Sequence, residues 1–327
     1  MGKIKYLKSL GICLFIITLI YTQTACTNNK LATDSTSIIR DNVTTSNGQT
    51  VNEADSNNDN NDIMIMEKKA LLVSLNEKSV EFENKRTELE SQIKAYLGNN
   101  INMVGLSYYD INSGKEIIIN GDKTFLAAST VKVQMNMVLD DMIQNGTVSE
   151  NESLQYTDDS FEEGTGILQS QDLSKPISLS LLSDYSIIYS DNIATNMIIK
   201  RINYYNMRNM IDAKLGHATD KSGNFITATD ETTLLKQLYE NVNNNTYYSK
   251  IIDDMKNTEF HDRLDLYLPY NIVAHKVGNY DSYVNDVGII YTENPYILSI
   301  YTNGLDNANE VIAHISKMIY DFQVNYN

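Results

Sequence analysis

The sequence predicts an α/β sandwich interrupted by an all-helical domain. Three observations predict it. Two strand-like runs precede a long helical stretch, three more follow it, and an amphipathic helix closes the chain. A sheet assembled from both sides of a helical insertion leaves a groove where the two meet, which is the expected place for a ligand.

The elements follow in chain order. Lys3, Lys5 and Lys8 open the sequence, an apolar run covers Leu10 to Ile20, and small polar residues lead to Cys26. A basic start, an apolar stretch short for a bilayer and a small-residue exit read as an export signal over residues 1–26. The alternative is an uncleaved N-terminal anchor, and both readings place the domain outside the cytoplasm. Residues 27–62 are rich in Asn, Asp, Ser and Thr and hold too little apolar surface to offset the entropy of ordering, so a disordered tether is expected. From Ile63 to Leu97 there is no proline or glycine, Leu89, Ile93, Tyr96 and Leu97 fall at helical spacing, and Gly98 is the stop. Residues 63–85 read as a helical stalk or extension, and the domain proper is expected over 86–327.

Within it, Met103–Tyr109 and Glu116–Ile119 read as strands joined at Asn112-Ser113-Gly114. Phe125 to about Glu240 is mostly helical, giving an inserted helical subdomain of about 122–244 between 86–121 and 245–327. The strand-like runs Asn271–Val277, Val284–Tyr291 and Tyr296–Thr302 follow, the last two separated by Asn294-Pro295. The closing helix carries Val311, Ile312, Ile315, Met318, Ile319 and Phe322 on its apolar face.

Composition narrows the function. Cys13 and Cys26 both fall in the export segment, so the domain has no internal disulfide and relies on an ordinary core. Net charge is −16, and −19 without the three leading lysines, which argues against nucleic acid as a partner. The four histidines, His217, His261, His275 and His314, lack ligand spacing, so no metal is expected. No cofactor is expected either, and the chain is expected to be a monomer.

Three fragments carry chemistry. Ser129-Thr130-Val131-Lys132 places a hydroxyl and an amine three apart, on one face if the segment is helical. A serine hydroxyl needs an adjacent base to act as a nucleophile, and a neutral lysine can be that base. Small residues precede Ser129 and an apolar run follows, so the serine belongs near a helix N-terminus, where an oxyanion is favoured. A capping serine with a surface lysine explains the fragment equally well. Ser91-Gln92-Ile93-Lys94 has the same spacing but sits mid-helix among acids, and is set aside. Ser190-Asp191-Asn192, alone, is a capping motif between helices. Lys276-Val277-Gly278, alone, is an edge-strand lysine. Lys221-Ser222-Gly223 lies in a polar turn with no strand around it, and is rejected.

Together these fragments resemble the penicillin-recognising serine hydrolases, most nearly the class A β-lactamases. The resemblance runs from about Leu89 to Phe322 and is carried by Leu126-Ala127-Ala128-Ser129-Thr130-Val131-Lys132, Ser190–Asn196, Ala274–Gly278 and Asn285-Asp286-Val287-Gly288. It implies a five-stranded antiparallel sheet flanked by helices beside a helical domain. It also implies roles: Ser129 as acylated nucleophile, Lys132 as its base, and Ser190 as proton relay to the leaving nitrogen. Asn192 would hold the substrate amide, Lys276 the substrate carboxylate, and Gly278-Asn279 the oxyanion side, with the Ser129 and Asn279 N–H groups forming the hole. Gln23-Thr24-Ala25-Cys26 resembles a bacterial lipoprotein cleavage site, although glutamine stands where an aliphatic residue is usual. Cys26 would then be lipidated and anchor the protein to the outer face of the cytoplasmic membrane.

Two departures bear on function. The family's Glu-x-x-Leu-Asn deacylation loop is not found: between Asn192 and Thr227 there is no glutamate, and Glu231 reads as a first-turn dipole partner. Val277 replaces the usual Thr or Ser, removing a hydroxyl for the substrate carboxylate. The expected function is a β-lactam hydrolase acting through a serine acyl-enzyme. The alternatives are a D-alanyl-D-alanine carboxypeptidase acting on peptidoglycan stem peptides and a non-hydrolytic penicillin-binding or sensor protein.

Overall fold

The structure, a computed structural model, describes residues 56–326, with side chains from 64 onward. The expected export signal, Cys26 and the tether up to residue 55 lie outside the described residues. Helix α1 spans Ser56–Leu97 and so begins before Ile63, where helical spacing first shows in the sequence. Strands β1 (Val104–Asp110) and β2 (Glu116–Ile119) form the expected hairpin, with Gly114 at φ +69° in the turn. Strand β3 (Thr124–Leu126) leads through a 3-10 turn into α2 (Val131–Gln144). The insertion continues with β4 (Ser153–Leu154), β5 (Ile177–Ser178), α3 (Leu179–Ile188), α4 (Asn192–Ile202), α5 (Tyr204–Leu215), β6 (Phe225–Thr227), α6 (Ala228–Glu240) and α7 (Tyr248–Lys256). Strands β7 (Val273–Tyr280), β8 (Tyr283–Ile290) and β9 (Tyr296–Asn303) and helix α8 (Ala308–Tyr326) complete the chain.

The five long strands make one sheet in the order β2-β1-β9-β8-β7, every pair antiparallel. Strand side chains alternate between faces, and here the two faces feed two cores. Leu106, Tyr108, Tyr296, Leu298 and Ile300 cluster with Leu89, Ile93 and Leu97 of α1 and Ile312, Ile315 and Ile319 of α8. Ala274, Val287, Ile289, Ile297 and Tyr301 cluster with the helices of the insertion. Burying such aliphatic side chains is worth roughly 1.5–3 kcal/mol each, so the helical insertion is held to the sheet by an ordinary core. In α1 the apolar stripe is only partly used. Leu89 and Ile93 are buried, whereas Leu71, Leu72 and Leu75 are more than half exposed.

The pairs β3–β6 and β4–β5, and helix α7, were not evident in the sequence. The first pair joins the two ends of the nucleophile-bearing segment, Thr124↔Thr227 through Leu126↔Phe225. It thereby holds the start of α2 in place.

Candidate active site

Ser129 sits in the 3-10 turn Ala128–Thr130, immediately before α2, one residue from where its spacing suggested a helix start. The turn is held by two asparagines. Asn285 Nδ2 donates to the Leu126 and Ala127 carbonyls at 2.9 and 3.1 Å, and Asn224 Nδ2 donates to the Ala128 carbonyl at 2.9 Å. Three consecutive carbonyls are thus tied down, which accounts for Ala128 being kept at φ +50°. A left-handed non-glycine residue costs about 1–2 kcal/mol and persists only where its surroundings over-determine it. Ser190, at φ +52°, is the second such residue beside the site.

Lys132 is the second residue of α2, one turn beyond Ser129, and is buried. Its Nζ donates to the Ser190 carbonyl at 2.7 Å, to Ser190 Oγ at 3.2 Å and to Asn192 Oδ1 at 2.9 Å. Burial pushes this amine down to about 7, against the opposing pull of the Asp191 and Glu162 carboxylates. Asp191 caps α4, accepting from Ala194 N–H, and its second oxygen accepts from Leu168 N–H at 2.8 Å. The loop 161–168 is thereby clipped over the start of α4. Gly164 and Gly166 permit the approach: a Cβ on Gly166 would meet the Asp191 carboxylate at 2.3 Å.

Strand β7 closes the other side. A Cβ at Gly278 would stand 2.6 Å from the Ala127 carbonyl and 3.1 Å from the Ser129 nitrogen. Only glycine lets the strand lie this close to the nucleophile turn. Lys276 is fully buried, with Nζ 3.2 Å from the Val277 carbonyl and 5.4 Å over the Phe260 ring. Burial first, and the nearby Lys132 charge second, hold it well below the lysine range.

Between these elements opens a cavity of about 590 Å³, lined by Ser129, Lys132, Asn192, Asn279, Asn196 and Glu162 among others. Four of the residues singled out from the sequence share this wall. Ser190 and Lys276 are buried away from it, although Ser190 contacts Lys132 directly.

The profile of the Beta-lactamase enzyme family matches residues 88–323. The chain belongs to the β-lactamase enzyme family. Among solved structures it is similar to PBP-A, 25% identical over 72% of this chain and 95% of that one, with a TM-score of 0.66. It also shares its fold with the TLA-1 extended-spectrum β-lactamase (23% identity, 73% and 99% coverage, TM-score 0.66). A β-lactamase from Sphaerobacter thermophilus is a further fold neighbour (20% identity, 72% and 97% coverage, TM-score 0.65). Family and fold are those of serine hydrolases of the β-lactamase and penicillin-binding kind.

Against that family, the segment between Asn192 and Thr227 is filled by α4, α5 and the turn into β6. It carries no glutamate toward the cavity. The carboxylate that reaches it comes from upstream. Glu162, in the loop before α3, accepts from Asn196 Nδ2 at 2.9 Å on the cavity wall. Sequence reading passed over Glu162 because it looked only downstream of Asn192. Gly164 and Gly166 within this loop were the available sign that it packs tightly on something.

Glu231 is more deeply placed than its position in the sequence shows. It lies in the first turn of α6, as expected, and is fully buried there. Gln134 Nε2 and Tyr301 O–H donate to its Oε2 at 2.5 and 3.2 Å, and burial pushes its carboxyl up to about 7. Far apart in sequence, His261 and His275 meet beside Asp265 in the fold.

Proposed function

We propose that the protein is a serine hydrolase that opens β-lactams through an acyl-enzyme on Ser129. The observation that carries the reading is Lys132, a buried amine held by Ser190 and Asn192 on the wall of the cavity that Ser129 lines. Neutral Lys132 takes the proton from Ser129 Oγ as that oxygen attacks the lactam carbonyl. The negative charge that develops on the carbonyl oxygen is received by the N–H groups of Ser129 and Asn279. The C–N bond then breaks, and Ser190 passes the proton from Lys132 to the leaving nitrogen. Asn192 holds the substrate amide, and Lys276, behind the wall, becomes the cation for the substrate carboxylate once that opposite charge favours its protonated form.

Deacylation needs a second base. Glu162, oriented by Asn196, takes a proton from a water that attacks the acyl carbonyl, and that proton passes from Glu162 by way of neutral Lys132 to Ser129 Oγ as the ester C–O bond breaks. We further propose that residues 1–26 direct export and that lipidated Cys26 anchors the domain outside the cytoplasmic membrane, where β-lactams and wall precursors are met.

A second reading, a D-alanyl-D-alanine carboxypeptidase, is favoured by the lack of a glutamate between Asn192 and Thr227. One experiment separates the two. Purified protein is mixed with a chromogenic cephalosporin while colour and intact mass are followed. Sustained turnover supports the β-lactamase reading. A single burst with a stable adduct on Ser129 moves the assignment to the carboxypeptidase, to be checked by D-alanine release from a pentapeptide. If there is neither turnover nor an adduct on Ser129, both readings fail.

A further inference from the structure

We propose that His261, Asp265 and His275 form a site for one divalent transition metal of the zinc class, separate from the cavity of Ser129. His261 and Asp265 lie in the segment between α7 and β7, and His275 is the third residue of β7, directly before Lys276. Their ligand atoms all lie within 4.8 Å of one another. Asp265 Oδ2 is 2.5 Å from His261 Nδ1 and 3.2 Å from His275 Nε2, so both imidazoles converge on one carboxylate oxygen.

Three features point to a ligand rather than a self-contained cluster. First, two buried atoms at the centre are poorly served: Asp265 Oδ1 has no hydrogen-bond partner, and His275 Nε2 makes no well-aligned hydrogen bond, only the 3.2 Å approach to Asp265 Oδ2. A buried polar atom left unpaired is costly, and a cation between them would satisfy both. Second, His275 already has the support that metal-bound histidines use. Its Nδ1 faces the Asp286 carboxylate at 2.9–3.0 Å, and Leu264 N–H donates to the same group at 3.0 Å, which fixes the ring with Nε2 directed at Asp265. Third, His275 stands between two buried carboxylates, Asp265 and Asp286, whose charge a proton on the ring offsets in the absence of an ion and a doubly charged cation would offset with the ring neutral.

Two nitrogen ligands and one carboxylate suit zinc, cobalt or nickel better than calcium or magnesium, which take oxygen. The open side is at His261, whose side chain is 36% exposed and stacks on Tyr270 with ring centroids 4.5 Å apart. Water can complete a tetrahedral shell there. Such an ion would cross-link the 257–272 segment to β7, the strand that carries Lys276 and Gly278.

The test uses the full chain, stripped with a chelator and then titrated with Co²⁺ and with Zn²⁺. The expected result is one equivalent of Co²⁺ giving a visible tetrahedral d–d band, displaced by Zn²⁺. Tm should rise by roughly 5–10 °C when metal stands a hundredfold above Kd. His261→Gln, at a half-exposed position, should abolish the band and the Tm shift while leaving the metal-free Tm near that of the parent. His314→Gln, distant in sequence and outside the cluster, should change neither. A protonated His275 sitting between its two carboxylates without any ion predicts no band and no retained metal. That result overturns the proposal, as does equal uptake by His261→Gln.

Discussion

Asn196 Nδ2 donates to Glu162 Oε2 at 2.9 Å, fastening a carboxylate from the loop before α3 to the wall of the cavity that Ser129 lines. If that carboxylate activates the deacylating water, Glu162→Gln should leave acylation by penicillin intact and slow release by about 10²–10⁴-fold, the usual range for a general base. Mass spectrometry would then find the adduct accumulating in the variant under conditions where the parent is free. Equal release rates in parent and variant would remove Glu162 from the mechanism while leaving acylation standing.

Lys132 supplies a pH prediction. Its amine is pushed down to about 7, chiefly by burial. Only the neutral form accepts the Ser129 proton, so the acylation rate should climb as pH rises through about 7 and level off above it. Stopped-flow acylation between pH 5 and 9 measures this. A rate still climbing at pH 9 would mean that the amine titrates like a surface lysine.

Gly278→Ala places a methyl 2.6 Å from the Ala127 carbonyl, a backbone contact that cannot yield by side-chain motion. The strand or the nucleophile turn must shift, and the N–H groups of Ser129 and Asn279 move apart. Acylation should fall by about 10²-fold, the scale of losing one oxyanion donor. The fold should survive, which circular dichroism and a thermal melt would show.

Glu231 makes a stability prediction with a defined sign. Its carboxyl is raised from the ordinary 4.5 to about 7 by burial, so the folded state binds its proton more tightly than the unfolded state. That contribution is full below about 4.5 and is lost as pH rises through 7. A rise of about 2.5 units corresponds to about 3 kcal/mol. Glu231→Gln keeps the shape and removes the titration, so its stability relative to the parent should improve by about 3 kcal/mol between pH 4.5 and 8. Urea unfolding at several pH values would reveal it, and parallel curves would refute it.

Much of this arrangement was legible in the sequence. The nearly continuous apolar run Tyr296–Thr302 and the turn at Gly114 marked strands, because a central strand of a sheet covered on both faces is buried throughout. Ser129, Lys132, Asn192 and Asn279 could be gathered into one site because their fragments keep the order and surroundings of a known family. What stayed hidden depends on contacts between distant segments. Nothing near Asn285 or Asn224 announces that each holds carbonyls of the nucleophile turn about 160 and 96 positions away. Glu231 could be placed in a helix's first turn, but only the tertiary fold puts Tyr301 and Gln134 around it. His261 and His275 are fourteen positions apart, a separation that has no meaning until β7 folds back on the segment before it.

The strand order β2-β1-β9-β8-β7 has a consequence for how the molecule is made. The strand that lies between the first hairpin and β8 is the last one synthesised. On the ribosome, residues 104–119 therefore wait with one unpaired flank until 296–303 emerge, and the helical insertion can compact long before that gap is filled. Any chain cut short ahead of Tyr296 would hold two disconnected half-sheets. It would lose the Tyr301 hydroxyl that stands 3.0 Å from Thr130 Oγ1, one residue from the nucleophile.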